Sequence, residues 1–403
     1  MSSPTTTIPP SPTKKSPLSH HRHLSPTSSI RISPLQLGGM SLGTTWSDRL
    51  GAVPKSSAFS LLDRFYALGG NFIDTANAYQ AGQSEEWIGE WMATRSPTRR
   101  SEMVIATKYT LSPIPPPPSP PSTKDQDVPP PIQQSNFGGN GTKSMRVSID
   151  DSLRRLQTTY IDVFYVHAWD YSTNVEELMQ SLNHLVAQGK VLYLGISDAP
   201  AWVVSKANMY ARVHGLRGFS VYQGRYGATC RDLEREVIPM CRDEGMGVCV
   251  WGVLGNGYIR SPNKESASKR VRNVSHLLTG YEEQVSLVLD TVAKRHGEGV
   301  SVTSVAIAYV LQKTPYLFPI IGGRTVEQLE ENVQALSLEL TAEDVKDIDA
   351  AYPFDVGFPH SFLCPGGYRD GGGSPGPQDV AFSRTMGEFD YVEGARAIRA
   401  VRG

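Results

Sequence analysis

The chain has 403 residues, 39% of them hydrophobic, and a formal net charge of −1. Near-neutral charge leaves no electrostatic footprint for nucleic acid or a membrane surface, and no apolar run approaches the about 18 residues a transmembrane helix needs. The four cysteines (Cys230, Cys241, Cys249, Cys364) show no CxxC spacing; they are expected as free thiols in a reducing, cytoplasmic compartment.

Residues 1–31 are rich in Ser, Thr, Pro and His, and no acidic residue precedes Asp48. An acid-poor, Ser-rich start fits a transit peptide, but the repeated prolines break any amphipathic helix, so a disordered tail is expected. From Ile32 the texture changes. Leu35–Leu37 reads as a short strand ended by Gly38 and Gly39. Ala58–Leu68 is apolar at helical period, and Phe72–Ala76 is the next strand. Glu85–Thr94 is an amphipathic helix, and Met103–Thr107 a strand ending at Lys108.

Residues 110–142 interrupt the rhythm. Prolines crowd Pro113–Pro131, with glycines from Gly138 to Gly141. Such a segment builds neither helix nor sheet interior, so an extended loop insertion is expected. The alternation then resumes. Helices are predicted over Ser144–Leu156, Val175–Gln188, Ala201–Val213 and Leu233–Glu244. Strands are predicted over Ile161–His167, Val191–Ser197, Phe219–Gln223 and Gly247–Leu254. Gly255–Leu278 is a polar loop, followed by helices Tyr281–Arg295 and Val302–Gln312 and the last strand, Leu317–Ile321. Val326–Leu336 is the last repeating helix. Thr341–Ala351 is one more, with Thr341 as N-cap and Asp344 at the capping-box position.

Eight strands in strict alternation with helices predict an α/β protein, a (β/α)8 TIM barrel over residues 32–355. A doubly wound sheet would want GxGxxG in its first turn; GGMSLG stands there instead. Residues 356–403 form a C-terminal extension expected to close over the active site.

In such barrels the site lies at the C-terminal strand ends. Those ends carry Asp74 and Tyr79, Lys108, His167, Ser197 with Asp198, Gln223 and Trp251. Each alone is unremarkable: a surface Tyr, a hydrogen-bonded core His, a solvated Lys. Together they fit one chemistry. A lysinium beside a phenol favours phenolate and lowers its pKa, an aspartate holds the lysine, and a histidine orients a carbonyl. The set delivers a proton to an oxygen gaining negative charge, which carbonyl reduction needs if hydride comes from elsewhere. Further on, Gly322-Gly323 opens a helix whose N-terminus attracts phosphate. Arg324 in its first turn offers a fork for a phosphate monoester, which points to NADPH over NADH. Gln328, Glu331 and Asn332 alone read as a solvated helix face.

These segments resemble the aldo-keto reductase superfamily. Asp74, Tyr79, Lys108 and His167 match its catalytic tetrad. GISDAPAWVV (195–204), YQGRY (222–226), VWGVLGNG (250–257), FPIIGGRTVEQLEEN (318–332) and GFPHSFL (357–363) are similar to its fungal aryl-alcohol dehydrogenase and norsolorinic-acid-reductase-like branch. The resemblance implies NADPH bound without a Rossmann fold. Ser197, Asp198 and Gln223 would hold the nicotinamide carboxamide, and Trp251 would pack on its ring. Gly252, Val253 and Leu254 would line the pyrophosphate path. Arg324, Gln328, Glu331 and Asn332 would take the adenosine phosphate end. Many superfamily members carry Asn where Asp198 stands. Arg260 and Lys264 are candidates for a pyrophosphate clamp. The implied substrate is a small-molecule aryl or polyketide-type carbonyl, reduced reversibly to its alcohol. Two other readings compete: a non-catalytic nucleotide-binding subunit of the same fold, and a metal-dependent hydrolase, which would want more His and carboxylate ligands than these strand ends supply. Oligomeric state is not legible.

Overall fold

Among the described residues, ten strands organise the chain: β1 Arg22–Ser25, β2 Ser28–Ile32, β3 Gln36–Gly38, β4 Phe72–Asp74, β5 Val104–Tyr109, β6 Ile161–Val166, β7 Val191–Ser197, β8 Phe219–Arg225, β9 Gly247–Trp251 and β10 Leu317–Ile321. The computed structural model describes residues 16–114, 133–261, 278–368, 374–385 and 395–400. Strands β3 to β10 close into an eight-stranded parallel barrel in sequence order, β10 pairing β3. The expected (β/α)8 TIM barrel is therefore the observed fold. Every residue of β4, β5 and β6 is buried, as expected for parallel strands covered by helices on one face and filled on the other.

The interior cluster sets the geometry of the site. Phe72, Ala106, Tyr165, Val221 and Cys249 point into the barrel. Side chains two positions apart on a strand share a face. The same inward face therefore continues to Asp74, Lys108, His167, Gln223 and Trp251 at the C-terminal end. Gly195 shows how tightly this interior is filled: a Cβ there would come within 2.5 Å of the Tyr165 ring.

The N-terminal reading needs correction. Residues 16–31, expected to be disordered, include the hairpin β1–β2. Its Leu24 is fully buried, as is Ile32 at the end of β2, both packed against the interior cluster. A Cβ at Gly247 would lie 2.2 Å from the Leu24 carbonyl oxygen, so the hairpin caps the barrel at the N-terminal ends of its strands. Three aliphatic residues, Leu24, Ile30 and Ile32, in a polar hairpin leave little periodic signal; only the open bottom of the barrel makes them core. Residues 1–15 lie outside the described residues, as do 115–132 of the proline-rich insertion and Lys264. The described end of the insertion is anchored: the Asn140 amide donates to the Thr110 hydroxyl and the Ala168 carbonyl, and its backbone N–H donates to Asp170.

Two further expectations shift. Lys108 lies inside β5 rather than after it. The predicted helix Leu233–Glu244 is split into a 3-10 turn, Asp232–Glu234, and a helix, Val237–Asp243. Pro239 explains the break, because its ring would clash with the Arg235 carbonyl in a continuous helix but is tolerated in the first turn of a new one. The capping box of Thr341 and Asp344 is present as expected. The described part of the C-terminal extension runs beside the segment after β8. Just before the extension Phe354 stacks under Arg231 and Arg235, and within it His360 pairs with Glu236.

Candidate active site

The four strand-end residues meet at the mouth of the barrel. Lys108 is fully buried, and its Nζ donates to both Asp74 oxygens, at 2.8 and 2.7 Å, and to the Thr75 carbonyl at 2.8 Å. Three acceptors match the three donors of an ammonium. The same Nζ lies 5.0 Å from the centre of the Tyr79 ring. The His167 ring meets the Tyr79 ring edge to face, with centroids 5.7 Å apart. Trp46 approaches Tyr79 from the loop after β3, at 6.5 Å.

Burial governs the proton affinities. It opposes the charge on Lys108, but the Asp74 carboxylate and the Tyr79 oxygen together outweigh it, and its pKa is raised. Burial raises Tyr79 as well; Lys108 pulls it down, Asp74 pushes it back up, and the net shift is upward from 10.0. This corrects the expectation of a lowered phenol: without a ligand, desolvation outweighs the lysinium. His167 is pushed well below 6.5, by burial first and by Lys108 second. It is a neutral imidazole at physiological pH, and its Nδ1 is buried without a hydrogen-bond partner.

The turn carrying Tyr79 is held from behind. The backbone N–H groups of Thr75 and Asn77 donate to the Ala106 and Lys108 carbonyls, so the chain still runs along β5 after β4 has ended. Gln80, at φ +54, accepts from the Trp46 backbone through its side chain and donates to the Met40 carbonyl. Glu85 is fully buried, accepts from the Thr107 hydroxyl at 2.6 Å, and pairs with Arg155 at 3.3 Å. Trp46, Gln80, Glu85 and Arg155 were not singled out from the sequence. Trp46 stands within the loop after β3 and not at a strand end, so no strand-end position points to it. Glu85 reads as an ordinary helix-surface acid until Arg155 is brought to it.

The nucleotide candidates form a second group along the mouth. Ser197 is buried at the end of β7, and its hydroxyl donates to Asp198 at 3.3 Å. Asp198 sits at φ +43 and turns its side chain to an open face. Crowding by the protein pushes its carboxyl up to about 6, against the Ser197 hydroxyl and the Trp251 indole N–H, which favour the anion. Gln223 is not free to face the mouth alone, since its Nε2 donates to Asp74 Oδ1 at 2.9 Å. Gly252 lies at φ +79 just past Trp251. Val253 is buried and Leu254 packs on the core, so both offer only backbone to a ligand.

At the far end, Gly322 is exposed and the helix Val326–Gln334 begins, capped by Thr325. Gln328 Oε1 accepts from the Arg324 backbone N–H at 2.9 Å, and the buried Asn332 amide donates to the Gly322 carbonyl at 3.3 Å. Asn332 therefore shapes the turn. Glu331 is half-buried on the same helix. Arg324 is also half-buried, and its Nη1 lies 2.6 Å from where a Cβ on Gly51 would stand. Gly51, at φ +77, brings the loop after β3 against that guanidinium. An open backbone turn, a helix N-terminus and an arginine fit a phosphate, and the hydroxyl, carboxyl and amide near Trp251 fit a carboxamide. The donor set thus suits a nicotinamide dinucleotide. Among the described residues, no group of three or more His, Cys, Asp or Glu could hold a metal ion, and no helix is long and apolar enough to cross a membrane.

Residues 34–353 match the sequence profile of the aldo/keto reductase family. The chain belongs to that family. As an aldo/keto reductase it is an oxidoreductase acting at a carbonyl carbon. The chain is 58% identical to an aryl-alcohol dehydrogenase of Pestalotiopsis microspora, over 98% of this chain and 97% of the relative. It is 50% identical to norsolorinic acid reductase B of Dothistroma septosporum, over 94% of each. It is 46% identical to an aryl-alcohol dehydrogenase [NADP(+)] of Phanerodontia chrysosporium, over 87% of this chain and 90% of the relative.

Proposed function

We propose that this aldo/keto reductase reduces an aryl or polyketide-type aldehyde or ketone to its alcohol, reversibly, using NADPH. The observation that carries the reading is the fully buried Lys108, clamped by both oxygens of Asp74 and set beneath the Tyr79 ring, with neutral His167 beside it. The names of the relatives, which specify aryl alcohols, norsolorinic acid and NADP(+), support the substrate class and the cofactor. Trp46 and His167 flank Tyr79 and favour a flat ring at the reacting carbonyl.

NADPH, when bound, would supply hydride to the carbonyl carbon. Ser197 and Asp198 would hold its carboxamide beside Trp251, and the turn Gly322–Arg324 would hold its 2′-phosphate end. His167, neutral, donates a hydrogen bond to the carbonyl oxygen and aims it at Tyr79 Oη. As negative charge develops on that oxygen, Tyr79 gives up its proton, and Lys108 stabilises the phenolate left behind. Desolvation keeps Tyr79 protonated until then, so the acid is held in its donating form. In the reverse direction the same phenolate removes the alcohol proton.

The test is NADPH oxidation with 4-nitrobenzaldehyde, comparing the native chain with Tyr79→Phe. The variant is expected to lose about 10²- to 10⁴-fold in kcat, the usual contribution of a general acid, while binding NADPH normally. Equal consumption by both proteins would sink the assignment of Tyr79. Tight NADPH binding with no turnover of any carbonyl by the native chain would favour a nucleotide-binding subunit.

A further inference from the structure

The buried amide of Gln223 has an unexpected partner. Its Nε2 donates to Asp74 Oδ1 at 2.9 Å, the same oxygen that accepts from Lys108 Nζ at 2.8 Å. Gln223 is 3% exposed, and its backbone carbonyl accepts from the Asp198 N–H at 3.0 Å. One residue of β8 thus touches the proton-transfer cluster with its side chain and the nucleotide group with its backbone. An amide has two N–H donors and a carbonyl, and besides Asp74 the Gln223 side chain also meets the Tyr165 hydroxyl inside the barrel.

We infer that Gln223 is a positioning residue for the proton-transfer cluster: by hydrogen-bonding Asp74 it sets how strongly that carboxylate holds Lys108, and through Lys108 how readily Tyr79 gives up its proton. Asp74 is the common partner of the cluster. Without the Gln223 donor, the full carboxylate charge falls on Lys108. A more strongly neutralised lysinium stabilises the Tyr79 phenolate less, and the phenol becomes a weaker acid. The other titratable groups facing the cluster are His167 after β6, Tyr165 on β6, Cys249 on β9 and Asp198 after β7. Among the described residues, the Asp74 carboxylate is held by Lys108 Nζ and Gln223 Nε2. The inference rests on the reading of Tyr79 as proton donor.

Two variants test it. Gln223→Met keeps length and removes the donor. It is expected to lower kcat at saturating NADPH by roughly 10- to 100-fold, the value of a hydrogen bond to a charged group, with the KM for the aldehyde little changed. Gln223→Glu places a second carboxyl against Asp74. Protonated, it donates as the amide did; ionised, it repels. Its kcat is expected to approach the native value in acid and to fall as pH rises through the pair's shared titration, a limb the native enzyme lacks. Thermal melts of the cofactor-free Gln223→Glu protein should show the same titration, stability falling as pH rises, independently of turnover. Should Gln223→Met change only the affinity for NADPH, with Gln223→Glu adding no new limb in kcat or melting, the inference is overturned and Gln223 serves the cofactor alone. If Gln223→Met does not fold, the Gln223→Glu profiles decide by themselves. Failure of the underlying reading looks different: Tyr79→Phe would then turn over like the native chain, while the Gln223→Glu melts would still report the contact with Asp74.

Discussion

The two ends of the barrel mouth are built on opposite plans. At the proposed proton-transfer end, Lys108, Asp74 and Gln223 are buried and hydrogen-bonded to one another. At the proposed phosphate end, the exposed Gly322 and the half-buried Arg324 sit on an open turn whose Gln328 reaches back to cap a backbone N–H. The difference follows from what each end is proposed to do. A proton donor gains from desolvation and fixed dipoles already in place. A site that admits and releases a charged nucleotide needs donors that water reaches until the ligand arrives.

The contrast breaks first, and hardest, at Lys108. Lys108→Met leaves the Asp74 carboxylate buried without its cation, a change that costs roughly 3–5 kcal/mol. Urea denaturation should show that loss, along with abolished carbonyl reduction. A variant as stable as the native protein would mean that this end is not pre-organised by the ion pair.

Arg324→Ala probes the open end. Losing one charge-assisted contact to the 2′-phosphate should weaken NADPH by about 10- to 100-fold and leave NADH and the melting temperature nearly unchanged. Fluorescence titration with both nucleotides decides; equal weakening of the two would remove the 2′-phosphate role.

Asp198 lies between the two ends and sharpens the comparison with the smallest effect. Its folded carboxyl is raised from 3.8 to about 6. Between those values the folded protein keeps a proton that the unfolded chain has lost, so its stabilising contribution is full below about 4 and disappears as pH rises through about 6. Asp198→Asn, which cannot ionise, should therefore gain over the native protein as pH rises through that window. The open face of the side chain screens much of the shift. The gain at pH 7 is about 1 kcal/mol, or about 1 °C in melting temperature for a chain of this length. Melting curves across pH 4 to 8 check it; a gap that does not widen with pH would place the carboxyl with the exposed end.

Much of the site was legible because strand ends in a barrel project to one place. Alternation located β4, β5, β6, β7, β8 and β9, and reading two residues on from each inward hydrophobe arrives at Asp74, Lys108, His167, Gln223 and Trp251. The hairpin β1–β2 was not legible, because Leu24 and Ile32 become core only when a barrel bottom lies over them. The split before Pro239 is written in the missing N–H of that proline, but the apolar period running through the segment masks it. Glu85 and Arg155 stayed hidden for a different reason: each has an ordinary helix-surface context, and only packing removes the water between them.

What the sequence by itself determined is the order of strands and helices, the fold they imply and the chemical inventory at the strand ends. These follow from local periodicity and from which side chains can move a proton or face a phosphate. The tertiary structure decided the connections and the balance of charges. Gln223 reaches Asp74 from 149 positions away, which no local pattern specifies. Tyr79 ends with a raised rather than a lowered pKa, because desolvation is summed over everything packed around the phenol, whereas the opposing lysine is a single neighbour.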